Sequence, residues 1–227
     1  MAITLAVAGG NIGVSTTLTL PSSYVTKAGD VVIVVIGTAN SNWSSPLVTI
    51  SGLGANWQTW TQTYNSSTSL GGNYFAVGTS CTAGNTTITL SSNPSTNGNV
   101  AILVFSGAKS QSANLLFGPI GTATTNTTVS QTGLSWAAGS TLVSFGETYE
   151  WASGSPVGTW GSSTETLGAV SGPTRAAYAS YVLNAPAGSS ATYTSPQSYT
   201  GYGVGAVYGI QLTPVPSNGN MFLVMGF

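Results

Sequence analysis

This chain has almost no charge. Of 227 residues, only Lys27, Asp30, Lys109, Glu147, Glu150, Glu165 and Arg175 are ionisable as acids or bases of the usual kind, and histidine is absent. A soluble domain usually carries about a quarter of its residues as Asp, Glu, Lys or Arg. The scarcity leaves few of the groups that enzymes use to move protons. It also removes the mutual repulsion that keeps free monomers apart. Such a composition suits a subunit of an assembly better than a freely diffusing protein. A net charge of −1 gives no attraction to nucleic acid or to an anionic membrane.

Other absences narrow the field. Cys81 is the only cysteine, so no internal disulfide can form. No cation or helix start is evident nearby to activate it, and it reads as a small buried hydrophobe at the end of a strand. The longest apolar runs, 31–36 and 100–105, are far short of the roughly twenty residues of a spanning helix. The N-terminus, Met-Ala-Ile-Thr-Leu-Ala-Val-Ala-Gly-Gly, has no positive segment and breaks at Gly9, so no secretory signal peptide is expected. Amphipathic stretches of helical period are missing, and good helix formers are scarce.

What remains is strand. Runs rich in Val, Ile, Thr, Tyr and Phe alternate with Gly, Asn, Ser and Pro. The expected strands of the first half are 3–8, 15–20, 31–37, 47–51, 57–64, 74–79, 86–91 and 100–106. Those of the second are 125–130, 141–146, 164–170, 176–183, 191–194 and 203–212. Thr86–Leu90 alternates polar and apolar, as a strand with one wet face does. Val31–Ile36 and Val100–Phe105 are continuously apolar and read as central strands covered on both faces. The expected fold is an all-β, jelly-roll-like antiparallel β-sandwich.

The chain also repeats itself. Ala28-Gly29-Asp30 leads into 31–37, and Ala138-Gly139-Ser140 leads into 141–146. Ala83-Gly84 and Ala187-Gly188 each precede a later hairpin. The spacing of about a hundred residues is too long for a solenoid. One sandwich domain over 1–213 is expected, with related halves at about 14–107 and 125–213 and a link at 107–126. Residues 214–227 read as a linker and an apolar tail.

The order of these features resembles a diffuse family of phage-encoded and prokaryotic surface proteins. The likeness lies in the Ala28-Gly29-Asp30-Val31 turn, the Trp57–Tyr64 strand, and the aromatic Tyr74-Phe75-Ala76-Val77 segment. It continues through the strand ending Phe105-Ser106-Gly107, then Pro119-Ile120, and the final Ala206–Leu212 strand. It is a similarity of pattern over about 14–212, without a diagnostic motif. The resemblance implies a jelly-roll-like virion decoration, fibre or tail component, and it implies no catalytic residue.

Candidate chemistry is thin. Glu147, Glu150 and Glu165 suggest the paired carboxylates of a glycosidase, but a spacing of three on an extended chain turns the first two to opposite faces. Solvated loop acids are the expected reading. Asp30 with Glu147 and Glu150 would make a poor calcium set, lacking an Asp-rich loop. Nucleophilic catalysis has no histidine base, and Gly71-Gly72 is no phosphate loop. No catalytic residue, cofactor or metal is therefore assigned. Asn42, Asn65, Asn85 and Asn126 head Asn-x-Ser/Thr sequons, as an Asn- and Thr-rich chain produces by chance.

Aromatic and apolar residues offer partner contacts instead. Trp57 and Trp60 lie three apart on one strand and should face opposite sides, one toward the core and the other toward the surface or an interface. Trp43, Trp151 and Trp160 sit in polar, loop-like contexts as candidate surface aromatics, suited to a core plug, an interface or a sugar platform. The chain closes on Met221, Phe222, Leu223, Val224, Met225, Gly226 and Phe227. Its apolar side chains are the candidate partner-binding residues, folding back as an edge strand or adding to a neighbour's sheet. The expected protein is a non-enzymatic virion structural subunit, assembled in a host cytoplasm. Its partners would be copies of itself and other capsid or tail proteins. The alternatives are a receptor- or glycan-binding tail-fibre domain, marked by exposed loop tryptophans, and a cell-surface filament or adhesin subunit, marked by a removed signal peptide.

Overall fold

The computed structural model describes residues 2–12, 15–38, 49–66, 69–91, 98–120, 128–149, 157–171, 175–194 and 204–214. The described chain is all-β apart from one 3-10 turn at Pro21–Ser23. No helix of the described residues is long and apolar enough to cross a membrane.

The first half comprises β1 (Thr4–Ile12), β2 (Thr17–Thr19), β3 (Val31–Thr38), β4 (Ile50–Gly52), β5 (Asn56–Ser66), β6 (Ser69–Thr79), β7 (Thr87–Leu90) and β8 (Gly98–Ser106). The second comprises β9 (Ala108–Ile120), β10 (Thr128–Trp136), β11 (Ser140–Tyr149), β12 (Val157–Trp160) and β13 (Ser163–Thr164). It continues with β14 (Thr166–Ser171), β15 (Arg175–Ala185), β16 (Gly188–Thr194) and β17 (Val204–Pro214). Every pairing is antiparallel.

Both halves wrap the same way. The first builds a large sheet in the order β1-β8-β3-β6-β5 and a small one in the order β2-β7-β4. The second builds β14-β15-β11-β17-β9 and β10-β16-β12-β13. Read from the opposite edge, the second large sheet repeats the first strand for strand, and the second small sheet repeats the first with β13 as an added hairpin arm. First strand beside eighth, eighth beside third and third beside sixth is the jelly-roll wrap. The fifth strand departs from it by pairing with the sixth and widening the large sheet.

The four sheets stack as layers around three cores. The two large sheets face each other across Val31, Ile33, Val35, Phe75, Leu103 and Phe105 on one side. Val143, Phe145, Tyr208, Ile210 and Leu212 meet them from the other. Phe145 and Tyr208 stack at 5.8 Å, and Phe75 lies 4.6 Å from Tyr208. On its outer face the first large sheet meets its small sheet through Val32, Val34, Ile36 and Tyr74, against Leu18, Ile88 and Leu90. The second does so through Leu142, Tyr178 and Val207, against Trp136, Trp160 and Ala191.

This layering explains the continuous apolar runs. β3 is an inner strand, so its odd residues enter the shared core and its even residues the outer one. All six residues from Val31 to Ile36 are fully buried, which withdraws on the order of 10 kcal/mol of transfer free energy.

Gly29 and Gly139 hold φ of +83° and +84°, and each precedes the central strand of its half. Their amides donate to Cys81 O at 2.9 Å and Ala185 O at 2.8 Å respectively, so the sequence repeat is one turn used twice. The stretch 107–126, expected as a link, carries β9, which forms the edge of the second large sheet beside β17. The halves meet at Gly107 instead, at φ +86°, where the carbonyl of Ala2 packs so close that a Cβ would sit 2.6 Å from it. Ala108 in turn pairs with Pro214.

Candidate interaction surface and buried polar sites

Asp30 follows the left-handed Gly29 and is 1% exposed. Its Oδ2 accepts from Tyr24 Oη at 2.9 Å and from the Lys27 amide at 2.8 Å, and its Oδ1 accepts from Ser106 Oγ at 2.6 Å. The carboxylate thus stitches the turn to the end of β8. Its carbonyl accepts the Cys81 amide at 3.2 Å. With these oxygens engaged, Asp30 is a structural acid, unlike the calcium ligand considered from the sequence. Among the described residues no three His, Cys, Asp or Glu side chains converge on one point. In the second half Ser140 performs the same task more weakly, donating to Ala137 O at 2.8 Å and accepting from Gln211 Nε2 at 2.7 Å.

Burial and then the charge of Asp30 push the Cys81 thiol up to about 12, so it stays protonated and unreactive near neutrality. Burial likewise raises the Tyr24 hydroxyl, with opposing help from Ser106 and further raising by Asp30.

Glu165 corrects the sequence reading of solvated acids. It is buried, and its Oε1 accepts from Trp160 Nε1 at 2.7 Å and from Ser144 Oγ. Its Oε2 accepts the Gly158 amide at 3.1 Å. The β12–β13 hairpin turns at Gly161, φ +57°, and returns the chain so that Glu165 lies beside Trp160. That cross-hairpin spacing was the available signal for the pair.

Trp160 is corrected with it. Expected among the surface aromatics, it is 1% exposed, edge-on to Trp136 at 5.4 Å and tilted on Phe117 at 5.4 Å. The physical reason is its hydrogen bond: Glu165 satisfies the indole N–H and lets the ring enter the core. One candidate sugar platform is thereby removed.

The two halves act as mutual controls. Superposing the Gly29 and Gly139 turns and following the ladders carries Val34 onto Ser144 and Ala76 onto Ser180. Tyr74 falls on Tyr178, and Trp57 on Glu165. The tyrosine is common to both halves; at the other three positions the first half has Val34, Ala76 and Trp57, whereas the second has two serine hydroxyls and a carboxylate. The fold therefore does not require the polar set. Ser180 Oγ is buried with no hydrogen-bond partner among the described residues.

The remaining candidates divide plainly. Met221, Phe222, Leu223, Val224, Met225 and Phe227 lie outside the described residues, as do Trp43, Trp151 and Glu150. Glu147 belongs to β11. Trp57 and Trp60 do face opposite sides, but both are half-buried: Trp57 packs on the outer core and Trp60 on the shared one. Of the sequon residues, Asn85 uses its side-chain amide internally, donating to Thr82 Oγ1 at 2.8 Å. Asn65 lies in β5, and Asn42 and Asn126 fall outside the described residues.

Two surface features were not anticipated. A cleft of about 250 Å³ opens between Gly9, Gly10, Pro21 and Ser22, with Val100 and Ile102 as its floor. One edge of the first large sheet is β5, whose exposed Asn56, Gln58 and Thr59 are uncharged. Compared with protein-family models, curated proteins and solved structures, the chain matches none.

Proposed function

We propose that this chain is a non-enzymatic structural subunit of a virus particle, of the capsid-decorating or fibre type. It associates with copies of itself and with neighbouring capsid or tail proteins. The observation that carries this reading is where the few charges go. Asp30 and Glu165 serve internal hydrogen bonds, so at most Lys27, Lys109, Glu147, Glu150 and Arg175 remain for the exterior. Copies can then approach one another with little electrostatic penalty. The interior is the reverse of the surface: three packed cores and large sheets buried on both faces make a rigid body, as a permanent part of a shell requires.

The apolar run Met221, Phe222, Leu223, Val224, Met225 and Phe227, beyond a Pro- and Asn-rich linker, supplies the second element of the reading. It can add to a neighbour's sheet, with backbone hydrogen bonds for affinity and alternate side chains for register. Mass spectrometry of gradient-purified particles from the genome that encodes the chain is expected to find it at many copies per particle. A chain truncated after Pro214 is expected to unfold as the full chain does but to fail to attach. Absence from such particles, or turnover of a substrate by the purified protein, overturns the proposal.

A further inference from the structure

Among the described residues, most sheet edges are guarded against pairing with another chain. β1 breaks register between Leu5 and Val7, and Pro21 covers Gly9 so closely that a Cβ there would lie 2.7 Å from its ring. β9 shifts register three times and contains Lys109 and Pro119. β14 has six residues and a shift between Leu167 and Ala169. β10 is interrupted between Thr132 and Trp136, and β2, β4 and β13 are two or three residues long. Bulges, prolines, charges and short strands are the usual devices against edge-to-edge association.

β5 has none of them, and among the described residues no strand pairs with its outer side. It is eleven residues long and pairs with β6 in unbroken register from Asn56–Thr79 to Ser66–Ser69. Its sequence, Asn-Trp-Gln-Thr-Trp-Thr-Gln-Thr-Tyr-Asn-Ser, holds no charge, proline or glycine and is rich in strand-forming residues. The edge is also held rigid. Trp57 lies over Gly78, where a Cβ would be 2.9 Å from the ring, and donates its Nε1 to Gly52 O at 3.2 Å. Trp60 anchors the other face 6.3 Å from both Phe145 and Tyr208. A preorganised edge loses little freedom on pairing.

We infer that β5 is a self-association edge: two copies pair their β5 strands antiparallel about a twofold axis near Thr61, joining their large sheets into one. The inference rests on the reading of the chain as an assembly subunit and names its self-contact. A second copy fits this edge for three reasons. An antiparallel pair of identical strands is self-complementary and closes at a dimer. Neither strand brings a charge to repel the other. The exposed Asn56, Gln58 and Thr59 suit a partner that is polar on both faces, whereas the apolar C-terminal run would leave Met and Phe side chains beside them in water.

Sedimentation equilibrium of the full chain between about 1 and 100 µM tests the inference. The expected result is a monomer–dimer equilibrium that Asn56→Lys/Gln58→Lys weakens at least tenfold, with the thermal transition unchanged at concentrations where both chains are monomeric, because both side chains are exposed. Thr61→Cys gives a second readout. Mild oxidation should cross-link it between copies, since opposed strand residues lie close enough for a disulfide and the native Cys81 is buried. A monomer throughout the range overturns the inference, as does a dimer untouched by the lysines and not cross-linked through Thr61→Cys. So does a dimer lost only on removing residues 215–227, which would make the tail the occupant. None of these outcomes bears on whether the chain is found in particles, so the two proposals fail separately.

Discussion

Replacing Glu165 by leucine removes the acceptor that lets Trp160 and Ser144 sit in the core of the second half. The consequence can be sized. Each hydrogen bond to a charged group contributes about 1.5–3 kcal/mol, and a buried donor left without a partner costs about 1–3 kcal/mol. Glu165→Leu orphans three donors, Trp160 Nε1, Ser144 Oγ and the Gly158 amide, and is expected to cost about 3–5 kcal/mol. For a chain of this size that lowers Tm by roughly 10 °C. Ser144→Ala removes one donor and one bond and should cost about 1–2 kcal/mol. The double variant should cost less than the sum by about 1–2 kcal/mol, because the orphaned hydroxyl is then gone. Urea unfolding followed by circular dichroism, completed as a double-mutant cycle, measures all three. A Glu165→Leu cost below about 1 kcal/mol, or strict additivity with Ser144→Ala, would refute the argument that the carboxylate secures these donors.

Two further outcomes are expected. Stability should be nearly flat from about pH 5 to 9, because so few groups titrate there. Above that it should fall, since Cys81 is raised from 9.0 to about 12 and Tyr74 from 10.0 to about 12, both chiefly by burial. Groups raised in the folded state contribute fully below their unfolded values and lose that contribution as pH climbs toward 12, by up to about 1.4 kcal/mol per unit each. Cys81→Ala and Tyr74→Phe should flatten the alkaline limb in thermal scans, and a Tm change above about 10 °C between pH 5 and 9 would contradict the first part. Phe145→Ala, in the core shared by both large sheets, should cost about 3–5 kcal/mol and keep a single calorimetric transition. Two resolved transitions would show that the halves fold independently.

Much of the architecture was legible because burial leaves a periodic trace. Val31–Ile36 announced a strand covered on both faces, and the Ala-Gly turns announced the repeat. What escaped was set by partners distant in sequence. β9 hides because Ser, Gln, Asn, Gly and Pro punctuate it, and only its broken register with β17 makes it a strand. β12 is four residues with a glycine, too short to show a period. Trp160 and Glu165 were misjudged for one cause: each looks exposed alone, and only the hairpin that joins them makes both fit to be buried. The unguarded edge at β5 was written in its composition, but its meaning needed the sheet order.

The meeting of Ala2, Gly107, Ala108 and Pro214 at one corner has a topological result. The described polypeptide is nearly a closed ring of two equal loops, pinched where they join. A circular permutant opened at Gly107, with a short splice from residue 214 to residue 2, would leave every strand of both loops intact. The order in which a ribosome delivers the halves should then matter little to the product. Partners joined directly at residue 2 and at residue 214 would emerge side by side.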